Sequence, residues 1–86
     1  PGEGGQAATD GRFEVDGQVA VNTSGGLLGR GSAVGATGIA QAVEVVSQLR
    51  GEVEGPRARP DAKVGLTDTH AGVGALSVVN VFARAI

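Results

Sequence analysis

The sequence has 86 residues and a mass of 8.4 kDa, enough for one small domain, and a chain this short buries only about 60% of the surface it exposes when unfolded. It carries no cysteine, one histidine (His70) and a formal net charge of −2, which excludes a disulfide scaffold and a cysteine-ligated zinc site and leaves packing against a partner as the expected source of extra stability. Without a basic run or an aromatic platform nucleic acid is not an expected partner, no metal is expected, and no apolar run approaches the roughly 20 residues of a membrane span.

The opening stretch is rich in glycine and poor in apolar area, so residues 1–12 are expected to be flexible, as part of a connection cut from a longer chain. From Phe13 to Val21 the apolar positions alternate, with Asp16-Gly17 between them as a turn signal, which predicts a short strand or a tight hairpin ending at Asn22. Asn22 to Gly38 is a glycine-dense loop. Beyond it Ile39, Val43, Val46 and Leu49 recur at helical spacing, and Gly51 stands where a left-handed C-terminal cap belongs. The helix is expected to start near Val34 or Gly35, and Val34, Ala36 and Val45 widen its apolar sector enough to predict burial on more than one side. Residues 52–61 read as an exposed connection. Two strands follow, Lys63 to Thr69 and Ala75 to Ala83, joined by a turn from His70 to Gly74; the second strand is apolar on both faces except at Ser77 and Asn80, as a central strand would be.

A strand, a glycine loop and a helix start form a physically suitable place for an anion or an oxyanion, because unhindered backbone N–H groups and the positive helix end converge there. Gly29, Gly31 and Gly35 miss the dinucleotide spacing by one residue, and no lysine follows to complete a P-loop. Ser24 and Ser32 have no acid or base beside them in sequence, and Gly31-Ser32 does not complete a nucleophile elbow. His70 is the single imidazole, and Asp68 is the candidate to orient it.

The run from Asn22 to Gln41, Asn-Thr-Ser-Gly-Gly-Leu-Leu-Gly-Arg-Gly-Ser-Ala-Val-Gly-Ala-Thr-Gly-Ile-Ala-Gln, resembles the C-terminal half of thiolases, above all the sterol-carrier (lipid-transfer) branch, whose motif places Gly-His-Pro before Gly-Ala-Thr-Gly. The resemblance extends over Phe13 to Ala83 and includes the closing glycine turn at Gly72 and Gly74. It implies an α/β fold class: the C-terminal portion of a thiolase-like fold, read here as strand, glycine loop, buried helix and two closing strands, with residues 1–86 forming a single partial domain. It also implies acyl-CoA chemistry, Claisen condensation or thiolysis, as in acetyl-CoA acetyltransferase, with the coenzyme A thioester as substrate and no further cofactor.

Carried over position by position, the resemblance puts Gly31, Ser32 and His70 at the catalytic place and Asn22, Ser24, Gly25, Gly26 and Gly72 at the substrate-binding place. The departures are as informative. Ser32 stands where the family has histidine and Ala33 where it has proline; the family's second cysteine falls near Asp68 or Thr69, and its sterol-carrier His-Asn pair falls on Thr69-His70. A hydroxyl cannot replace imidazole as a base near neutral pH, so this chain alone is not expected to turn over. Three parent activities stay open: an acyltransferase, a thiolase-like retro-aldol lyase acting on steroid side-chain acyl-CoA beside an OB-fold acyl-CoA-binding partner, and a non-catalytic lipid carrier or scaffold subunit. The implied partners are the remainder of a thiolase subunit or a second chain, in a homo-oligomer; the cytoplasm is the default location for a sequence with no apolar span and no signal-like pattern in its first ten residues.

Overall fold

The structure, a computed structural model, describes residues 2–33, 35–72 and 74–85. In chain order the elements are α1 (Gly4–Thr9), α2 (Gly26–Arg30), α3 (Thr37–Leu49), β1 (Val64–Ala71) and β2 (Leu76–Ala83). The two strands form one antiparallel hairpin, in register from Val64 opposite Ala83 to Ala71 opposite Leu76. α3 packs mainly on β1 and far less on β2. This helix-on-hairpin arrangement matches the α/β class expected of a thiolase-like C-terminal portion.

α3 ends as its sequence predicts. Gly51 is left-handed (φ 73°), its N–H bonds to the Gln48 carbonyl, and the Glu52 N–H reaches back to the Ser47 carbonyl at 2.9 Å. Together these bonds satisfy the last carbonyls of the helix in a Schellman arrangement. Its start lies later than expected, at Thr37; the Val34 start falls outside the described residues. The expectation of burial on more than one side is also corrected. Ile39 is 70% exposed and Val43 58%, because among the described residues the hairpin is the one element of secondary structure packed on the helix, on one side.

No strand forms between Phe13 and Asn22. The segment folds as a series of bends closed by Val19 N–H to the Arg12 carbonyl and Val21 N–H to the Phe13 carbonyl. The carbonyls of Val15 and Gly17, which a strand would offer to a neighbour, accept instead from Nη1 of Arg59 at 3.0 and 2.8 Å. Two helices arise where none was expected: α1 in the opening stretch, with Ala7 buried, and the one-turn α2 inside the glycine loop.

In the hairpin, His70 and Ala71 belong to β1 and not to the turn, which is closed by Ala75 N–H to the Gly72 carbonyl. β2 is not central. Among the described residues it pairs with β1 alone, and Leu76, Val78, Val79 and Val81 are all at least half exposed. The core that does exist is thin: Leu49 of α3 and Thr67 of β1 are buried where helix meets strand.

Candidate functional site

The glycine loop is shaped by a few backbone conformations. Asn22 has a positive φ (52°), and its carbonyl accepts from Gly25 N–H at 2.9 Å, turning the chain tightly before α2. Gly26 sits against the Asn22 side chain, so near that a Cβ would lie 3.3 Å from it. Both constraints favour the small and the amide side chains found there.

Where the loop enters α3, the Thr37 hydroxyl is the knot. It donates to the Ala33 carbonyl (3.0 Å) and accepts from Ala33 N–H (3.0 Å), leaving one lone pair for the Ser32 hydroxyl at 3.1 Å. With the Thr37 proton committed to Ala33, Ser32 is the donor in its pair with Thr37. Its proton therefore points to another hydroxyl and not to a base, which leaves Ser32 an unactivated alcohol.

Gln48, the penultimate residue of α3, fixes the other border of the loop. Its amide donates to Thr23 Oγ1 (3.1 Å) and to the Arg57 carbonyl (2.9 Å) and accepts from Arg59 N–H (2.9 Å). Gln41, two turns earlier, accepts from Thr69 Oγ1 at 2.6 Å and donates to the Asp68 carbonyl at 3.3 Å, clamping α3 to the far end of β1.

On β1 the even-numbered positions face away from α3. There the register sets His70 opposite Ser77, and Asp68 lies between them in the hydrogen-bond chain: its Oδ1 accepts from Ser77 Oγ, its Oδ2 from His70 Nε2 at 3.1 Å. These bonds, first that from Ser77 and then that from His70, hold the Asp68 carboxyl below the usual carboxylate range.

A broad open cleft of about 1370 Å³ runs between the glycine loop, α3 and β1. It exceeds the roughly 300–1,000 Å³ of an enclosed ligand pocket and is a trough in which further polypeptide or a long ligand can lie. Asn22, Ser24, Gly26, Gly31, Ser32 and His70 all line it. Gly25 and Gly72 do not; Gly25 caps α2 and Gly72 closes the hairpin. Among the described residues no group of three or more His, Cys, Asp or Glu side chains is placed to hold a metal. Sequence reasoning missed Thr37, Gln41, Gln48 and Ser77, whose roles come from pairings with residues distant in sequence or from strand register.

Residues 1–84 match the family described as thiolase C-terminal domain-like. The chain belongs to that family. This thiolase C-terminal domain is 52% identical over 83 residues to an acetyl-CoA acetyltransferase of Methanothermobacter thermautotrophicus, covering 96% of the chain and 21% of that protein. It is 42% identical over 81 residues to bovine sterol carrier protein 2, covering 94% of the chain and 14% of that protein. With a non-specific lipid-transfer protein-like 2 of Caenorhabditis elegans it shares 44% identity over 66 residues, 77% of the chain and 16% of the relative. The chain thus spans about a fifth or less of the length of these curated relatives. No helix among the described residues is long and apolar enough to cross a membrane.

Proposed function

We propose that this domain is the C-terminal part of a thiolase-like acyl-CoA acyltransferase, in which the glycine loop and the start of α3 border the acyl-CoA site. One observation carries the reading: a single cleft is lined both by the loop residues Asn22, Ser24, Gly26, Gly31 and Ser32 and by His70 of β1, which is distant from them in the chain. In this reading the loop glycines let backbone N–H groups approach a thioester carbonyl, and Asn22 and Ser24 bind the polar parts of the substrate. The chain has no thiol to take the acyl group; the acceptor comes from the remainder of the subunit or from a second chain, packed against the exposed sheet and helix faces. A homo-oligomer in the cytoplasm is the setting this implies.

The hydroxyl at position 32 favours a second reading. Lacking the loop imidazole, the parent protein could instead cleave a β-hydroxyacyl-CoA by retro-aldol chemistry beside an OB-fold partner. The complete polypeptide, assayed with acetoacetyl-CoA and free coenzyme A, separates the two. Acetyl-CoA formation is the expected result. Release of a ketone or aldehyde from a β-hydroxyacyl-CoA, with no thiolysis, replaces the first reading by the second, and saturable binding without either product leaves a lipid carrier.

A further inference from the structure

The charged side chains that line the cleft are Arg30, Glu44, Arg59, Asp61, Asp68 and His70. All but one of them have a partner. Glu44 is paired with Arg57, Arg59 with Asp61 at 2.7 Å, and Asp68 with His70 at 3.1 Å; Arg59 also commits its Nη1 to the Val15 and Gly17 carbonyls. Arg30 makes no ion pair among the described residues, where the side-chain hydrogen bonds donated by arginine belong to Arg57 and Arg59. We infer that Arg30 is the anion-binding residue of the cleft, where its guanidinium holds a pair of phosphate or carboxylate oxygens of the thioester substrate. This deepens the acyltransferase reading, on which it rests, by placing the charged part of the substrate at the loop end of the cleft.

Sequence and structure isolate this charge together. From Gly17 to Val43 Arg30 is the one charged side chain, so no acidic neighbour in the loop screens it. Paired charges cancel at a distance, and the field along the cleft wall is then set by the cation left over. Arg30 is the last residue of α2, and the Gly31 N–H bond to the Leu27 carbonyl at 2.8 Å fixes the backbone just beyond it. The wall beside it is open. A Cβ at Gly31 would meet nothing within 4 Å, and one at Gly29 only the Ser24 carbonyl at 3.5 Å, so the flanking glycines leave room where side chains would stand.

The guanidinium suits the task because its planar fork gives two parallel N–H bonds to two oxygens of one anion, which a lysine ammonium cannot do. The Asn22 amide and the Ser24 hydroxyl line the same cleft and can donate to a further oxygen. Two peptide units separate Arg30 from Ser32, at most about 7 Å between their Cα atoms. A carboxylate carried by the acyl group is therefore within the same neighbourhood as a phosphate of the coenzyme, and the two sources are separated by experiment.

The test titrates the complete polypeptide in a calorimeter, without added thiol acceptor, against two pairs of ligands. Coenzyme A against pantetheine, which lacks the phosphates, reads the first source; a 3-oxoacyl-CoA ending in a carboxylate against its methyl ester reads the second. Arg30→Gln is expected to weaken one charged ligand by about tenfold or more while its neutral counterpart stays within about twofold. Loss confined to coenzyme A over pantetheine puts a phosphate on the guanidinium, and loss confined to the carboxylate over its ester puts the acyl group there. Arg30→Lys keeps the charge without the fork and recovers part of the affinity. Both variants alter an exposed side chain and should leave the thermal midpoint unchanged. Equal weakening of charged and neutral ligands, or no weakening of any, overturns the inference and leaves Arg30 a solvated surface charge. A complete polypeptide that does not thiolyse acetoacetyl-CoA overturns the acyltransferase reading, while the titrations still decide the role of Arg30.

Discussion

At Gly65 strand β1 comes so near α3 that a Cβ would overlap Val45 Cγ1 and meet Leu49 Cδ1 at 3.6 Å. The absence of a side chain is therefore what lets β1 approach α3 closely at Val45 and Leu49. Gly65→Val is expected to destabilise the domain by about 1–3 kcal/mol, the usual cost of forcing extra carbon into a packed contact, read as a lower thermal midpoint. An unchanged midpoint would show that Val45 can turn aside. A second residue-scale effect concerns acid. Asp68 and Asp61 both have carboxyls held below their ordinary values, Asp68 by Ser77 and His70, Asp61 by the Arg59 guanidinium. A carboxyl lowered in the folded state contributes stability above the unfolded value and loses it as pH falls through the folded one. The midpoint of the unaltered domain should thus fall below about pH 4, and more steeply than that of Asp68→Asn. Parallel curves for the two would mean that the hairpin hydrogen bonds contribute nothing in solution.

Between elements, Gln48 does more than any other side chain, since one amide joins α3 to the glycine loop through Thr23 and to the connection after the helix through Arg57 and Arg59. Gln48→Ala leaves a part-buried backbone N–H and a hydroxyl without their partners, at a cost of roughly 1–3 kcal/mol. Chemical denaturation measures that cost, and hydrogen exchange should quicken at the Arg59 amide while the α3 interior stays protected. Equal protection at Arg59 in both forms would assign its order to another contact. The same pairings explain what could be read in the sequence. The spacing of Ile39, Val43, Val46 and Leu49 and the cap at Gly51 are local signals, so α3 was legible almost to the residue at its end. The hairpin was legible from its apolar runs, to within two residues. Phe13–Asn22 was not, because its backbone is held by Arg59, 42 and 44 residues away, and no short-range pattern encodes such a contact. The glycine loop was recognisable by spacing alone, whereas the link from Ser77 to Asp68 and His70 depends on register and on His70 being in the strand and not in the turn.

For the molecule as a whole, the deciding feature is the sheet face turned away from α3. Val64, Leu66, Val79 and Val81 lie there with relative exposures of 52–65%, at one end of which Asp68 already has both oxygens satisfied. Unbroken apolar area of this kind is what a covering layer of protein would use, and a carboxylate that brings its own hydrogen bonds can be covered without leaving an unpaired charge. The curated relatives are about five or more times longer than the matched segment, and under the reading proposed above the remainder of such a subunit is what would cover this face. Leu66→Lys tests this by contrast. In the 86-residue chain the side chain at position 66 is exposed, and the substitution should leave the thermal midpoint within the range of ordinary surface changes, about 0.5 kcal/mol. In the complete polypeptide the same lysine would be driven into an apolar contact, and the loss should reach several kcal/mol, enough to lower the midpoint by 10 °C or so. Equal small effects in both would mean that the face stays open to water in the complete protein and that the covering layer lies elsewhere.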